Sequence, residues 1–158
     1  MLEERTKIEF ASLSDAVEIG VLSKQDIEHG LGWKYTPKKI SELIRNRTKN
    51  VVVARSGASL AGFGIMTYYE YQANLDLLAV KRNFRRMKIG SEIVEWLEKV
   101  ALTSGAFNVF VQVRKQNGVA IKFYEVLGYS VIEIDSRYYS SIEAGVVMAK
   151  NLKRMVNL

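Results

Sequence analysis

Apolar and polar positions along the 158-residue chain follow two different periods, and the switches between them mark out its elements. Lys7-Ile8-Glu9-Phe10 alternates as a short strand should. Ser14-Asp15 opens a helix carrying Val17, Ile19, Val21 and Leu22, with Ser14 in the N-cap place. Gly30-Leu31-Gly32-Trp33 breaks that pattern, and Pro37, suited to a first helical turn, begins a second helix reaching Thr48. Residues 50–54 read as a strand centred on Val51-Val52-Val53, Ser56-Gly57 as a turn, and residues 60–69 as the returning strand.

Leu75-Asp76-Leu77-Leu78-Ala79-Val80 is a further strand, followed at once by a basic segment to Lys88. From Ile89 the positions Ile93, Trp96, Leu97, Val100 and Ala101 recur with helical period, and Ser104-Gly105 ends that helix. Residues 108–114 predict a strand and residues 117–127 a short helix with Gly128 as its C-cap. Residues 131–134 and 145–149 close the chain as two strands, joined through a segment that includes Tyr138-Tyr139. The order β-α-α-β-β-β-α-β-α-β-β predicts an α/β fold of the α+β kind. Its centre is a mixed, mostly antiparallel sheet of about seven strands, flanked by about four helices.

Composition narrows the chemistry. With no cysteine there is no disulfide framework, zinc-thiolate site, iron–sulfur cluster or cysteine nucleophile, and His29 is the lone histidine, so no metal site is expected. The chain reads as a single domain, 1–158, without repeats or linkers. No apolar run reaches the ~20 residues of a membrane span. The opening MLEERTKIEF has no signal-peptide core, so a cytoplasmic protein without membrane partners is expected. A formal net charge of +6 suits an anionic partner, but no nucleic-acid motif accompanies it, so a nucleic-acid role is not expected.

The most informative stretch is Arg85-Arg86-Met87-Lys88-Ile89-Gly90-Ser91. A helix N-terminus carries roughly half a positive charge and unsatisfied N–H groups, so cations are out of place there unless an anion docks among them. A phosphate or pyrophosphate would use both the N–H groups and the side chains. Gly90 would let the backbone approach the ligand without an intervening Cβ. A solvated basic loop with a glycine at a helix start is the alternative.

A strand ending Leu77-Leu78-Ala79-Val80, a basic loop of the type R/Q-x-x-G-x-G/A, and an amphipathic helix resemble the acetyl-coenzyme A site of GCN5-related N-acetyltransferases, the GNAT superfamily. The downstream VQVRKQNGVAIKFYEVLGY is similar to the second half of that family, and the likeness extends over nearly the whole chain. One position departs from the pattern: Lys88 stands where the loop's first glycine is usual. The resemblance implies a GNAT-like fold and acetyl-coenzyme A as cofactor. Backbone groups of Leu78, Ala79 and Val80 would hold the pantetheine arm and polarise the thioester, residues 85–91 would take the pyrophosphate, and Asn117 would contact the coenzyme.

By the same resemblance Tyr124 lies beside the thioester sulfur as general acid. A phenol of pKa ~10 can hydrogen-bond a developing thiolate of pKa ~8.5 and stay protonated. Packing on the sheet beside Phe123 is the alternative for Tyr124. Asn74 and Gln112 match places where such enzymes often carry a base, and neither can take a proton. Alternation puts Asp76 on the same strand face as Asn74 and Leu78, which makes Asp76 the nearest candidate base. Glu70 and Glu143 are remoter candidates.

Neutral residues at those places favour an amine that is already partly neutral: an α-amine of pKa about 7.7–8.0 rather than a lysine of about 10.4. Tyr138-Tyr139 resembles the Tyr-Tyr of ribosomal-protein and related N-terminal acetyltransferases, whose loop lies over the peptide, and Trp33 and Tyr35 fall where such enzymes build the facing wall. The leading expectation is therefore acetylation of a peptide or protein N-terminus by a monomer or homodimer. Acetylation of a small amine, such as a polyamine, amino acid or antibiotic, and a non-catalytic acyl-coenzyme A sensor are the alternatives.

Overall fold

The computed structural model describes residues 5–85, 87–135 and 144–155. The alternating segments form seven strands: β1 (Thr6–Phe10), β2 (Lys49–Ser56), β3 (Ser59–Tyr68), β4 (Gln72–Val80), β5 (Asn108–Arg114), β6 (Ser130–Asp135) and β7 (Gly145–Asn151). The segments of helical period form α1 (Ala16–Asp26), α2 (Pro37–Arg45), α3 (Ile89–Thr103) and α4 (Gly118–Val126). One sheet takes the order β1-β2-β3-β4-β5-β7-β6. Its pairs β1–β2, β2–β3, β5–β7 and β6–β7 are antiparallel, and β4–β5 is parallel. This is the mixed, mostly antiparallel α/β architecture expected.

The chain packs as two units. One holds the described residues up to Thr67 together with those of Leu77–Leu97; the other holds Tyr68–Asp76 and the described residues from Glu98 onward. In the first, β2 and β3 are apolar on both faces: Val51, Val52, Val53 and Ala54 are buried, as are Leu60, Ala61, Phe63, Ile65 and Met66. Ile19 and Leu22 of α1 and Ile40 and Leu43 of α2 join Val51, Val53 and Phe63 in one cluster. Two glycines permit close approach to β3. A Cβ on Gly62 would stand 2.7 Å from the Ala79 carbonyl oxygen of β4, and one on Gly64 would stand 2.8 Å from Ile93 Cγ2 of α3. Only hydrogen fits at either place.

In the second unit, β7 lies between β5 and β6, with Val109, Val111, Val146 and Met148 buried. Here Glu98 is 1% exposed; it accepts from the Tyr129 hydroxyl at 2.8 Å and pairs with Lys150 Nζ at 3.1 Å.

Among the differences from the pattern reading, three have a clear cause. Ser14 is not the N-cap: it lies within a 3-10 turn, Leu13–Asp15, where Asp15 Oδ2 accepts from the Ser12 N–H at 2.8 Å. Asp15 is further fixed by Arg55 Nη2 at 2.7 Å. Burial works against its charge, but the Arg55 guanidinium and the Ser12 N–H outweigh burial and hold its carboxyl below the usual carboxylate range. Helix α2 stops at Arg45, short of Thr48, because Asn46 turns to extended backbone and its side-chain oxygen accepts from the Thr48 N–H at 2.9 Å. Strand β4 starts at Gln72 rather than Leu75, because Gln72, Ala73 and Asn74 find parallel partners in Asn108, Val109 and Phe110. Such non-local pairing leaves no mark in the pattern of one strand.

Candidate active site

The first unit carries the passage from β4 into α3. Leu78 and Val80 are half-buried, with Ala79 buried between them on the opposite face. The Lys81 N–H donates to the Ala61 carbonyl at 2.8 Å, and Lys81 Nζ pairs with Glu18 at 3.1 Å. After a 3-10 turn, Arg82–Phe84, the guanidinium of Arg85 divides between two partners: its Nε donates to the Val80 carbonyl and its Nη2 to Asp26 Oδ2, both at 3.1 Å. Arg85 thus ties this passage to the end of α1. Arg86 lies outside the described residues.

Lys88 has φ 62°, and among the described residues no other non-glycine has a positive φ. For an L-residue with a Cβ the left-handed region costs roughly 1–2 kcal/mol. The turn therefore demands a glycine-like backbone at the place where the resembling loop has its glycine, and it keeps that backbone with a lysine. The Lys88 carbonyl accepts from the Glu92 N–H at 3.0 Å, so the strained residue launches α3. Met87 and Lys88 are exposed, Ile89 is buried beneath them, and Gly90 and Ser91 are half-buried.

On β4, Asn74, Asp76 and Leu78 share the half-buried face, while Ala73, Leu75, Leu77 and Ala79 are buried, as alternation predicts. The Asn74 side-chain oxygen is buried and accepts no hydrogen bond from the described residues. The parallel pairs run from Gln72 opposite Asn108 to Leu75 opposite Val111, and β4 itself continues to Val80.

In the second unit, Gln112 is exposed on β5 between buried Val111 and Val113. Asn117 is the N-cap of α4: its side-chain oxygen accepts from the Ala120 N–H at 3.1 Å. Tyr124 is 6% exposed and stands edge-on to Phe123 and Tyr129, with ring centroids 5.0 and 5.5 Å away. The Tyr129 N–H donates to the Tyr124 carbonyl at 2.9 Å. Burial, and then the Glu98 charge beside it, pushes the Tyr129 phenol far above its ordinary range. A neutral, hydrogen-bonded Tyr129 thus backs the Tyr124 ring.

The acceptor-side candidates Trp33 and Tyr35 belong to the first unit. The Trp33 indole donates to the Gly20 carbonyl at 3.2 Å and carries Lys24 Nζ over its ring at 4.8 Å, leaving the residue 37% exposed. Tyr35 packs against the first unit's core, with Lys34 Nζ 5.4 Å over its ring. Tyr138, Tyr139 and Glu143 lie outside the described residues.

The structure thus brings Leu78, Ala79, Val80, Arg85, Met87, Lys88, Ile89, Gly90 and Ser91 together at one strand-to-helix passage, and Asn117 and Tyr124 onto one short helix. Sequence reasoning missed Asp26, Glu28, Gly62 and Gly64, and the trio Glu98, Tyr129 and Lys150. Only the glycines left a signal, as alternate positions within an apolar strand. Among the described residues, no group of three or more histidines, aspartates and glutamates could hold a metal ion. The donor set fits a phosphate-bearing coenzyme: an exposed ammonium at Lys88 beside the first-turn N–H groups of a long helix.

Residues 22–129 match the acetyltransferase (GNAT) family, and the chain belongs to that family, whose cosubstrate is acetyl-coenzyme A. Over 92 residues it is 36% identical to the N-terminal acetyltransferase B complex catalytic subunit of Schizosaccharomyces pombe, covering 56% of this chain and 51% of that one. The matched stretch thus spans about half the length of that relative. Over 120 residues it is 27% identical to spermidine N(1)-acetyltransferase of Thermoplasma acidophilum, covering 73% and 74%. The fold is that of Ard1 from Thermoplasma volcanium, with a TM-score of 0.83 at 24% identity, over 93% of this chain and 97% of that one. It is equally that of the paia N-acetyltransferase of Thermoplasma acidophilum, solved with coenzyme A, with a TM-score of 0.80 at 23% identity, over 93% and 99%.

Proposed function

We propose that this protein is an acetyl-coenzyme A-dependent N-acetyltransferase acting on the α-amine of a peptide or protein N-terminus. The observation that carries the acceptor class is Asn74. A carboxylate is common at this point of β4 in the resembling enzymes; here a neutral amide stands there, with a buried oxygen that accepts no hydrogen bond from the described residues. An amide orients a water or an amine but takes no proton. Such a site handles an amine that is about a tenth neutral at pH 7 far better than a lysine. The likeness to an N-terminal acetyltransferase subunit supports the same reading.

Acetyl-coenzyme A, when bound, supplies the acetyl thioester. Main-chain groups of Leu78, Ala79 and Val80 hold the pantetheine arm, and Arg85, Arg86, Met87, Lys88, Ile89, Gly90 and Ser91 take the pyrophosphate, with Asn117 as a further coenzyme contact. Tyr124 holds a proton at its phenolic oxygen for the departing thiolate. Asp76, on the same face of β4 as Asn74, receives the amine's proton through water. Trp33, Tyr35, Asn74, Gln112, Tyr138 and Tyr139 surround the acceptor.

The test compares a short peptide with a free N-terminus against the same peptide blocked there and carrying an internal lysine. The free peptide is expected to be acetylated faster at pH 7, while lysine acetylation climbs tenfold per pH unit toward pH 9–10 as the neutral amine grows. Faster acetylation of the blocked peptide at pH 7 would overturn the reading. The likeness to a spermidine acetyltransferase, which spans about three-quarters of both chains, favours a polyamine as the second reading. A polyamine preferred over both peptides would establish it.

A further inference from the structure

The segment joining α1 to α2 is long for a helix–helix connection and includes Gly30 with φ +78° and Gly32. It is nevertheless folded around one side chain. Glu28 is 6% exposed, and its carboxylate accepts from Ser23 Oγ at 3.0 Å, from the Lys34 N–H at 2.7 Å and from the Tyr35 N–H at 3.2 Å. Its own N–H donates to the Ser23 carbonyl at 2.8 Å, anchoring it to the end of α1. A buried carboxylate is costly unless hydrogen-bonded, and an apolar side chain would fill the same space without that cost. What the carboxylate adds is a fixed acceptor for two successive main-chain N–H groups, which sets the backbone direction at Lys34 and Tyr35. The indole bond from Trp33 to Gly20 fixes the preceding residue.

We infer that Glu28 is a positioning residue whose buried carboxylate shapes the α1–α2 segment, so that Trp33 and Tyr35 form a rigid wall selecting peptide acceptors over small amines. This inference rests on the peptide N-terminus reading. Glu28 touches no reacting atom; it acts through the backbone of Lys34 and Tyr35. A small amine lacks the residues that would meet such a wall, and its acetylation is independent of Glu28.

The test uses the full chain with Glu28→Gln, Glu28→Ala and Ser23→Ala. Amide hydrogen exchange reads order at Lys34 and Tyr35, calorimetry reads coenzyme A affinity, and steady-state kinetics use a free-N-terminus peptide and a small polyamine. In Glu28→Ala, exchange at the Lys34 and Tyr35 amides is expected to speed at least ~10-fold and the peptide KM to rise at least ~10-fold, with kcat and coenzyme affinity within about twofold. Glu28→Gln, which keeps one acceptor oxygen, is expected to fall between. If Glu28→Ala does not fold, Glu28→Gln and Ser23→Ala carry the same comparison at smaller amplitude. Unchanged exchange, a kcat that falls as far as kcat/KM, or a polyamine KM rising in step with the peptide KM would overturn the inference. If the unaltered protein acetylates no peptide, the acceptor reading fails, and with it the selective role. Faster exchange in the variants would then still support Glu28 as the anchor of the segment, and unchanged exchange would overturn that as well.

Discussion

Two connecting segments of the first unit, one between α1 and α2 and one between β4 and α3, solve the same problem in opposite ways. Both link elements whose core faces are already fixed. In the α1–α2 segment the order comes from inside: the Glu28 carboxylate gathers main-chain N–H groups, and Lys24 and Lys34 lie over the Trp33 and Tyr35 rings. In the β4–α3 passage Arg85 reaches Val80 and Asp26 and Lys81 reaches Glu18, while Lys88 holds a left-handed backbone with its side chain outside. One segment is complete as a piece of protein. The other keeps backbone strain and outward charge at a helix N-terminus, the arrangement suited to an anionic ligand.

The largest expected effect comes from a change outside both segments, which separates chemistry from binding. Tyr124→Phe should lower turnover by ~10²-fold or more with coenzyme affinity nearly unchanged, read by steady-state kinetics and calorimetry. Equal turnover would leave Tyr124 as a packing residue against Tyr129. Next, replacing Arg85 and Arg86 together by alanine should weaken coenzyme A at least ~10-fold through lost phosphate contacts. Asp26→Asn sharpens this. If Arg85 serves the ligand, releasing it from Asp26 should leave affinity within about twofold; if its work is to tie the passage to α1, both changes should weaken binding alike. The smallest effect is expected at Lys88→Gly. Relief of the left-handed strain should raise stability by ~1 kcal/mol or less, since glycine also gains freedom in the unfolded chain, while coenzyme binding becomes less salt-dependent. A loss of stability would mean that the lysine is held there by contacts beyond its backbone.

The strand and helix order was legible because β2 and β3 have apolar centres bounded by polar ends and α3 has one apolar face. The cation-bearing helix start was legible because its charges contradict the helix dipole. Less legible was everything that depends on contact between distant residues. The early start of β4 depends on β5, and the cap before α1 depends on Arg55 reaching Asp15 across 40 positions. Glu28 is another such case: nothing in the sequence separates it from a solvent-facing glutamate, because its partners are main-chain groups that any residues would supply. Lys88 was readable only as an oddity. Its meaning came with the φ angle, which shows why the loop favours glycine at that place.

The trio of buried Glu98 and Tyr129 with half-buried Lys150 bears on which substitutions this chain tolerates. Glu98 accepts from both partners, so removing Lys150 leaves a buried carboxylate without its cation and removing Glu98 leaves the Tyr129 hydroxyl without its acceptor, whereas exchanging all three for apolar residues of similar volume can be neutral. Loss of Glu98 or of Lys150 alone is therefore costlier than exchange of all three together. Tyr124, whose ring stands against the trio's tyrosine, depends on that same packing, so its place in the fold is guarded by residues that need have no contact with the acceptor.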